Sequence, residues 1–383
     1  MSIFNEIFVL FSSNFKKVLF FEKLCIIIML YLSADKSHFR RKNMIKDIAI
    51  DLGTSNVLVY VKDKGIVIEE PSVVAVDKET GKILKVGKEA QMLLGRAPGN
   101  ILAVRPLRDG VISQYDVTLH LIRYLIRRVC GNSFFKPRVM ICVPGGITEV
   151  EERAVCDAAT SAGAKKTYLI EEPLAAAIGA GIDVSKPSGS MVVDIGGGTC
   201  DIAVISYGDI VVSDSIKMAG DKMDEAIIKH IRHKYNVLIG EVTAEEIKKT
   251  VGSALPLDKE YIVDIKGRCL TEGLPKMISV GSAEIRDALE PVVRSIVTAV
   301  RHVVERTPPE LVGDISASGI VMTGAGSLLY GLDRAIEHAT GIRTYVAENP
   351  STCVAIGTGR SLDNIQVLPE GTINISRMRQ QRL

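Results

Sequence analysis

Two stretches of this chain repeat one pattern, and that pattern restricts the fold more than any other feature of the sequence. In residues 192–205 an apolar run ends at Asp194, three glycines and a threonine follow, and a second apolar run begins. In residues 48–60 an apolar run ends at Asp51, and a Gly-Thr turn precedes the next run. Each stretch predicts two strands joined by a tight turn. The repetition predicts two similar lobes that face each other.

Turns of this composition are suited to binding phosphate. Glycine has no Cβ atom, so backbone N–H groups can approach an anion closely. The carboxylates of Asp51 and Asp194 stand at strand ends, where they are placed to hold a hydrated divalent cation. We therefore expect both turns to bind one nucleotide. The simpler alternative is two ordinary hairpins, but an acid and a hydroxyl recur at matching positions in both copies.

Length and composition fit two domains of ordinary size or one two-lobed body of the α/β class. The 383 residues are 47% hydrophobic but only 5% aromatic, which is typical of α/β proteins rich in Val, Ile and Ala. A formal net charge of +2 gives no general attraction to nucleic acid. The seven cysteines are scattered and form no CxxC pair, which favours reduced thiols in a cytosol over disulfides or a zinc site.

Residues 1–43 do not match the rest of the chain. Their apolar stretch at 24–32 is shorter than the roughly 20 residues that cross a bilayer. Met44 begins the strand that leads to the first glycine turn. We therefore expect Met44 to be the working start and 1–43 to be upstream sequence or a dispensable extension. An amphipathic membrane anchor is the alternative.

Several elements between and after the hairpins are predicted from local signals. Thr148 and Glu151 form a capping-box pattern for a helix through residue 162. Glu172 ends a strand just before a helix, where a carboxylate can orient a water molecule for attack on a phosphate, and we assign the adjacent Glu171 to the helix dipole. A helix over 282–307 contains Pro291, which must kink it or mark its start. Residues 255–282 predict a small β-containing insert.

A third glycine turn lies at 319–327. The pattern predicts a strand, then Gly-x-Gly-Ser, then a helix from Leu328, and small residues there would let an adenosine lie close to the backbone. Residues 355–362 predict a closing helix, and the tail from 369 is polar. Taken alone, this Gly-x-Gly is a weak signal, but it follows two phosphate-binding patterns.

Phe134 and Phe135 are adjacent in a polar loop between a predicted helix and a predicted strand. Neighbouring loop residues cannot easily both face the core. Either one is buried and the other is simply exposed, or both form an apolar tip that inserts into a membrane surface beside basic residues. Burying both side chains would contribute roughly 3–6 kcal/mol, which is marginal for one molecule and ample for an array of linked copies.

The order of these elements resembles that of the superfamily of actin, sugar kinases and DnaK-type chaperone ATPases. Longer phrases resemble the MreB family of bacterial actins, from about residue 44 to about residue 368. The phrases that carry this resemblance are 50–56, 70–75, 105–112, 135–139, 169–179 and 307–311. The resemblance implies an α/β actin-like ATPase fold with two ribonuclease-H-like lobes, each with a smaller inserted subdomain. The implied divisions are an extension (1–43), lobe I (44–182, subdomain roughly 75–114), lobe II (183–368, subdomain roughly 220–290) and a polar tail (369–383).

The resemblance also implies ATP and Mg²⁺ between the lobes, and roles for individual residues. Phosphate contacts fall on Thr54, Ser55, Asn56, Gly197, Gly198 and Thr199. Ribose and base contacts fall on Glu245, Glu246, Ile247 and Lys248, and the adenosine wall on Gly324, Ala325, Gly326, Ser327 and Leu328. Glu172 and Thr199 match the pair that positions the attacking water in the family. Asp51 and Asp194 match the acids that hold hydrated magnesium. Phe134 and Phe135 match the apolar loop that contacts the membrane. Ala325 stands where the family usually has glycine.

The family implies a slow ATPase that polymerises into paired, antiparallel protofilaments on the inner face of the cytoplasmic membrane. There it organises cell-wall synthesis and rod shape together with the cell-wall elongation machinery, without nucleic acid. A monomeric small-molecule kinase is an alternative, but we find no separate motif for its substrate. A chaperone would need a long C-terminal peptide-binding region. A plasmid-segregation filament or a division-site anchor remains open, although Phe134 and Phe135 favour the shape role over plasmid segregation.

Overall fold

Two five-stranded sheets form the frame of the molecule. The structure is a computed structural model and describes residues 47–131 and 136–363. The predictions for residues 1–43, for Phe134 and Phe135, and for the tail from 369 therefore lie outside the described residues.

In the described part up to residue 182, ten strands and four helices are present. The strands are β1 (Ile48–Leu52), β2 (Asn56–Val61), β3 (Gly65–Pro71), β4 (Val74–Asp77), β5 (Ile83–Val86), β6 (Ile101–Val104), β7 (Leu107–Arg108), β8 (Val111–Ile112), β9 (Arg138–Val143) and β10 (Lys166–Glu171). The helices are α1 (Lys88–Gln91), α2 (Tyr115–Cys130), α3 (Glu149–Ala162) and α4 (Glu172–Gly179). The first sheet has the order β10-β9-β1-β2-β3, while β5-β4-β6 and β7-β8 form small separate sheets.

From residue 183 to 363 the chain forms eight strands and six helices. The strands are β11 (Ser190–Ile195), β12 (Cys200–Ser206), β13 (Asp209–Ile216), β14 (Val237–Leu238), β15 (Ile262–Cys269), β16 (Pro275–Gly281), β17 (Ile320–Thr323) and β18 (Thr344–Val346). The helices are α5 (Gly220–Tyr235), α6 (Glu241–Val251), α7 (Ser282–Arg306), α8 (Pro309–Ser318), α9 (Leu332–Thr340) and α10 (Cys353–Ser361). The second sheet has the order β13-β12-β11-β17-β18, and β14-β15-β16 form a small sheet.

The two large sheets share one topology. In each, three consecutive antiparallel strands are followed by two strands that run parallel to the first of them. The repeated sequence pattern corresponds to β1–β2 in one sheet and to β11–β12 in the other. Strand β1 is buried along its whole length and β11 along all but its first residue, as expected for strands covered on both faces. The predicted α/β class is confirmed.

Helices α4 and α10 pack against each other through glycine. A Cβ atom at Gly179 would overlap the carbonyl of Cys353, and one at Gly357 would overlap the carbonyl of Ala175. The backbones can approach this closely only because side chains are missing at the crossing. The helix α4 residues 174–177 also belong to a hydrophobic cluster that contains strand residues of both large sheets, such as Met140 and Val192. This helix pair therefore lies where the two sheets meet.

The capping box before α3 is confirmed. The backbone N–H of Glu151 donates to Thr148 Oγ1 at 3.3 Å, and the N–H of Thr148 donates to Glu151 Oε2 at 2.9 Å. Two orphan donors at the helix N-terminus are satisfied in this way.

Two details differ from the sequence predictions, and an alternative that the sequence left open is decided. The chain after β17 forms a 3₁₀ turn over Ala325–Leu328, and the α-helix begins only at Leu332, so the predicted helix from Leu328 is wrong. Gly331, with φ of 76°, supplies the left-handed residue that separates the two segments. Of the two alternatives for Pro291, a kink or the start of the helix, the second is excluded, because α7 runs continuously from Ser282. The closing helix α10 begins two residues earlier than predicted. No helix in the described ranges has the length and apolar character needed to cross a bilayer.

Candidate functional site

The two predicted phosphate turns contact each other directly. A Cβ atom at Gly197 would overlap the hydroxyl of Ser55, and one at Gly198 would lie 2.6 Å from Thr54 Oγ1. The same Thr54 oxygen accepts a hydrogen bond from the N–H of Gly110 at 3.1 Å. The turn after β11 thus packs on the turn after β1, and the packing leaves no room for a side chain at either glycine.

Four buried carboxylates gather behind these turns: Asp51 and Asp194 at the ends of β1 and β11, Asp201 in β12 and Glu172 at the start of α4. Burial raises the pKa of Asp51 to about 6. A hydrogen bond from the Cys142 thiol at 3.3 Å lowers this pKa, but by less than burial raises it. Burial also raises the pKa of Asp194 to about 7, although Thr323 Oγ1 donates to it at 2.6 Å. Each group is disfavoured as an anion because water is excluded.

The pKa of Glu172 is raised by burial and also by the charges of the other three carboxylates. Burial raises its pKa well above the usual value, and the charges of Asp201, Asp51 and Asp194 raise it further, in that order of strength. Burial also raises the pKa of Asp201, although hydrogen bonds with Ser215, Gly145 and Thr199 act in the opposite direction. Four acids that repel one another are expected where a cation is bound.

The donor set fits a hydrated cation better than a bare one. Within the part of the chain that the structure describes, the charges that shift the pKa values of Asp194 and Glu172 come from other carboxylates and not from Lys or Arg side chains. Across 47–131 and 136–363, no three acidic, His or Cys side chains converge closely enough to hold a metal ion directly. Carboxylates that contact magnesium through its water shell satisfy both observations, since Mg²⁺ usually retains several waters.

A cleft of about 630 Å³ opens beside the turns. Its size is within the range of pockets that enclose small ligands and cofactors. Eight of the predicted nucleotide residues line it, namely Ser55, Asn56, Gly197, Glu245, Lys248, Ala325, Gly326 and Leu328. The structure thus brings together segments from the first turn, the second turn, α6 and the third glycine turn.

Lys248 is the best-anchored cation of this cleft. Its Nζ donates to the carbonyl of Gly220 at 3.0 Å and lies 2.9 Å from Asp224 Oδ1. Burial raises the pKa of Asp224 to about 6, while Lys248 acts in the opposite direction. Glu245, one turn earlier on α6, pairs with Lys249 at 2.6 Å. The wall of the cleft therefore contains both an ammonium group and carboxylates, which are groups that can bind phosphate and hydroxyls respectively.

The remaining predicted residues lie elsewhere in or near the site. Thr54 and Gly198 are at the contact between the turns rather than in the cleft wall, and Thr199 is buried next to Gly110. Ser327 is buried and its hydroxyl donates to the carbonyl of Gly324 at 2.6 Å. Ile247 lies in the hydrophobic core of the second sheet. Glu246 faces an adjoining cavity of about 790 Å³.

Three residues of the site were not singled out from the sequence. Arg105 lines the cleft and lies 3.7 Å from Glu241. Asp221, at the start of α5, also lines it and accepts a hydrogen bond from Ser55 at 3.5 Å. Asp201 pairs with Asp194 across the β11–β12 hairpin. A signal for Asp201 was available, because two acids directly opposite each other in a hairpin are destabilising unless something compensates them.

The repeated sheet topology, the two meeting turns and the adjoining cleft define an actin-like α/β fold of the nucleotide-binding class. Comparisons with known proteins agree. The sequence profile of the MreB/Mbl protein family matches residues 45–370. The chain is 53% identical over 326 residues to the cell shape-determining protein Mbl of Bacillus subtilis, covering 85% of this chain and 98% of Mbl. It is 50% identical over 327 residues to the cell shape-determining protein MreB of Escherichia coli, covering 84% and 94%.

A solved structure of MreB5 of Spiroplasma citri bound to ADP superimposes with a TM-score of 0.80 at 39% identity, and the match covers 85% of this chain and 98% of that one. The same protein has also been crystallised with AMPPNP. The chain belongs to the MreB/Mbl family. Its resemblance to this family and its actin-like fold, both inferred from sequence phrases, are confirmed.

Proposed function

We propose that this protein is an ATP-dependent, membrane-associated actin-like filament protein that organises cell-wall synthesis and determines rod cell shape. The observation that carries the proposal is the direct contact of two glycine turns over four buried carboxylates, next to a cleft of nucleotide size. Family membership adds the cellular role, since the relatives are cell shape-determining proteins.

In this proposal ATP lies in the cleft with its phosphates between the turns. Thr54, Ser55, Asn56, Gly197, Gly198 and Thr199 contact the phosphates. Residues 245–248 contact ribose and base, and residues 324–328 form the wall beside adenosine. Asp51 and Asp194 hold magnesium through water, and the ion neutralises phosphate charge when it is bound. The absence of side chains at Gly197 and Gly198 supports this arrangement, because backbone donors are then free to approach an anion.

Hydrolysis is assigned to Glu172 and Thr199, which orient a water molecule toward the γ-phosphate. Glu172 stands at the first position of α4 and is buried. Burial and the neighbouring carboxylates raise the pKa of Glu172 well above its usual value, so this carboxyl group binds a proton more readily than a free one does. The reaction is expected to be slow, because it acts as a timer that loosens the polymer after subunits have joined.

The proposed partners are other copies of this chain, in paired antiparallel filaments, the inner face of the cytoplasmic membrane and the cell-wall elongation machinery. The location is cytoplasmic and peripheral at that membrane, through Phe134 and Phe135. We propose lobe I as 44–182 and lobe II as 183–368, with smaller subdomains at roughly 75–114 and 220–290. The shared strand order of the two large sheets supports this division.

Sedimentation with lipid tests the proposal. The protein is mixed with ATP and Mg²⁺, with and without vesicles that contain anionic phospholipid, and centrifuged. We expect ATP-dependent pelleting, and co-pelleting with vesicles that is lost in the double variant Phe134→Ala/Phe135→Ala. Tyr207→Ala is the matched control, because Tyr207 is 69% exposed at the β12–β13 turn and its loss removes an exposed aromatic ring elsewhere.

Two results would contradict the proposal. Vesicle binding that survives the double phenylalanine variant would remove the membrane assignment. A protein that stays monomeric and consumes ATP only when a sugar is added would instead be a small-molecule kinase on the same scaffold.

A further inference from the structure

An ion pair joins the two walls of the cleft at its opening. Arg105 follows β6, in the part of the chain that carries the first large sheet. Glu241 is the first residue of α6, a helix whose apolar residues belong to the core of the second large sheet. The Nε atom of Arg105 lies 3.7 Å from Oε2 of Glu241. Neither residue has a role in the proposed binding of ATP.

The pair lies on the border between two open spaces. Arg105 lines the cleft of about 630 Å³ that the predicted nucleotide residues line. Glu241 lines the adjoining cavity of about 790 Å³, which separates residues 91–96 from the start of α6. A ligand that leaves the cleft toward this cavity therefore passes the ion pair. Opening the walls in this region requires the two side chains to separate.

Arg105 also acts on other carboxylates of the opposite wall. Its side chain is 19% exposed, whereas that of Glu241 is 63% exposed, so the cation is the more enclosed member of the pair. Burial raises the pKa of Asp221, and the charge of Arg105 opposes that rise. The same charge acts to lower the pKa of Glu245, although burial and Lys249 have larger effects there. One cation on the first wall thus attracts several carboxylates of the second.

We propose that Arg105 and Glu241 retain bound nucleotide by holding the walls of the cleft together, so that breaking this pair limits nucleotide release. The inference rests on the proposed binding of ATP in this cleft. The attraction between the two charges weakens as their separation grows, so it stabilises the closed form and not the open one. Release requires opening of the cleft, and the pair therefore adds to the barrier for release.

The release rate of a fluorescent nucleotide tests the inference. The full chain is loaded with the N-methylanthraniloyl derivative of ADP and Mg²⁺, and the label is displaced by excess ADP in a stopped-flow instrument. We expect Arg105→Ala and Glu241→Gln each to raise the release rate by about two- to fivefold, as for a partly exposed ion pair. The association rate should change by less than about twofold, because nucleotide enters the open form, in which the pair is broken.

Charge reversal shows whether the two residues act through each other. Arg105→Glu and Glu241→Arg each place like charges opposite each other, so both should release the label faster than the wild type. The double variant restores an opposite-charge pair and should release it more slowly than either single variant. Arg294→Ala is the matched control, because Arg294 lies 3.5 Å from Glu290 on α7 and neither residue lines the two spaces. Its release rate should equal that of the wild type.

The outcomes separate this inference from the function on which it rests. Release rates of Arg105→Ala and Glu241→Gln that both match the wild type would overturn the inference and leave nucleotide binding intact. A double reversal whose effect is the sum of the single effects would also overturn it, because Arg105 would then act without Glu241. Glu241 is exposed, so Glu241→Gln remains informative if the Arg105 variants do not fold. A wild-type protein that binds no labelled ADP would remove the proposed function itself.

Discussion

At the scale of single residues, the missing side chain at Gly197 allows the turn after β11 to approach the turn after β1 closely. Its backbone lies against Ser55, so a methyl group at this position has no space. The neighbouring Gly196 is different, since a Cβ atom there would lie 3.5 Å from the carbonyl oxygen of Thr199, an ordinary contact. Two adjacent glycines thus provide a test and its control within one turn.

We expect Gly197→Ala to raise the dissociation constant for ATP by about tenfold or more, equivalent to about 1.4 kcal/mol, because the turns must separate to admit the methyl group. Gly196→Ala should change it by less than about threefold. Isothermal titration calorimetry with ATP and Mg²⁺ measures both. Equal affinities in the two variants would show that contact between the turns does not matter for nucleotide binding.

The sequence reveals some residues of the site and conceals others for a physical reason. Asp51, Asp194 and the turn glycines were predictable because a repeated local pattern contains them. Arg105 and Asp221 line the cleft only because chain folding brings a loop and a helix start to it, and no local spacing encodes that approach. Asp201 stands between these cases, since its partner Asp194 is local to the hairpin but its bond to Gly145 is not.

At the scale of helices and strands, the crossing of α4 and α10 depends on glycine. Gly357 on α10 lies against the carbonyl of Ala175 on α4. We expect Gly357→Ala to destabilise the protein by about 1–3 kcal/mol through overpacking. Gly313→Ala, in the middle of α8 with open space around it, should instead stabilise by up to about 1 kcal/mol, because alanine favours a helix. Thermal unfolding followed by circular dichroism tests whether the two signs are opposite.

Glu284 joins the start of α7 to the end of α5. Its carboxylate accepts hydrogen bonds from Lys234 at 2.7 Å, Tyr235 at 2.8 Å, the N–H of Gly281 at 2.9 Å and His230 at 3.0 Å. Burial favours the neutral acid, but these bonds outweigh it and lower the pKa of Glu284 to about 2, from a usual value near 4.5. The folded state therefore binds this proton more weakly than the unfolded chain does.

The pH dependence of this contribution follows. It is fully present above pH 4.5 and is lost as the pH falls toward 2. We expect Glu284→Gln to cost about 1 kcal/mol at pH 7, a value reduced for the partial exposure of the group. The difference from wild type should shrink between pH 4.5 and pH 3 in thermal melts. Glu305→Gln is the control, since Glu305 is exposed and pairs with exposed Arg301 at 2.8 Å. A Glu284 effect that is constant over this range would refute the assigned pKa.

At the scale of the whole molecule, the repeated pattern predicted the most important architectural fact, namely two sheets of like topology. Strand hairpins can be read from sequence because apolar runs and glycine turns are local. The shift of the helix start from Leu328 to Leu332 could not be predicted from the sequence. Gly326 packs on Ile195 of β11, and that contact forms only in the folded chain. The close approach of Gly357 to Ala175 is hidden for the same reason, because these residues are far apart in sequence.

The short helix α4 has one further consequence. Glu172 is its first residue, and Gly179, its last, rests on the backbone of Cys353, so eight residues and about 12 Å separate the two ends. The Glu172 carboxyl group at the start of α4 is therefore joined through one short helix to the glycine crossing with α10. Any relative movement of the two sheets that shifts α4 would also displace this carboxyl group from the other buried acids.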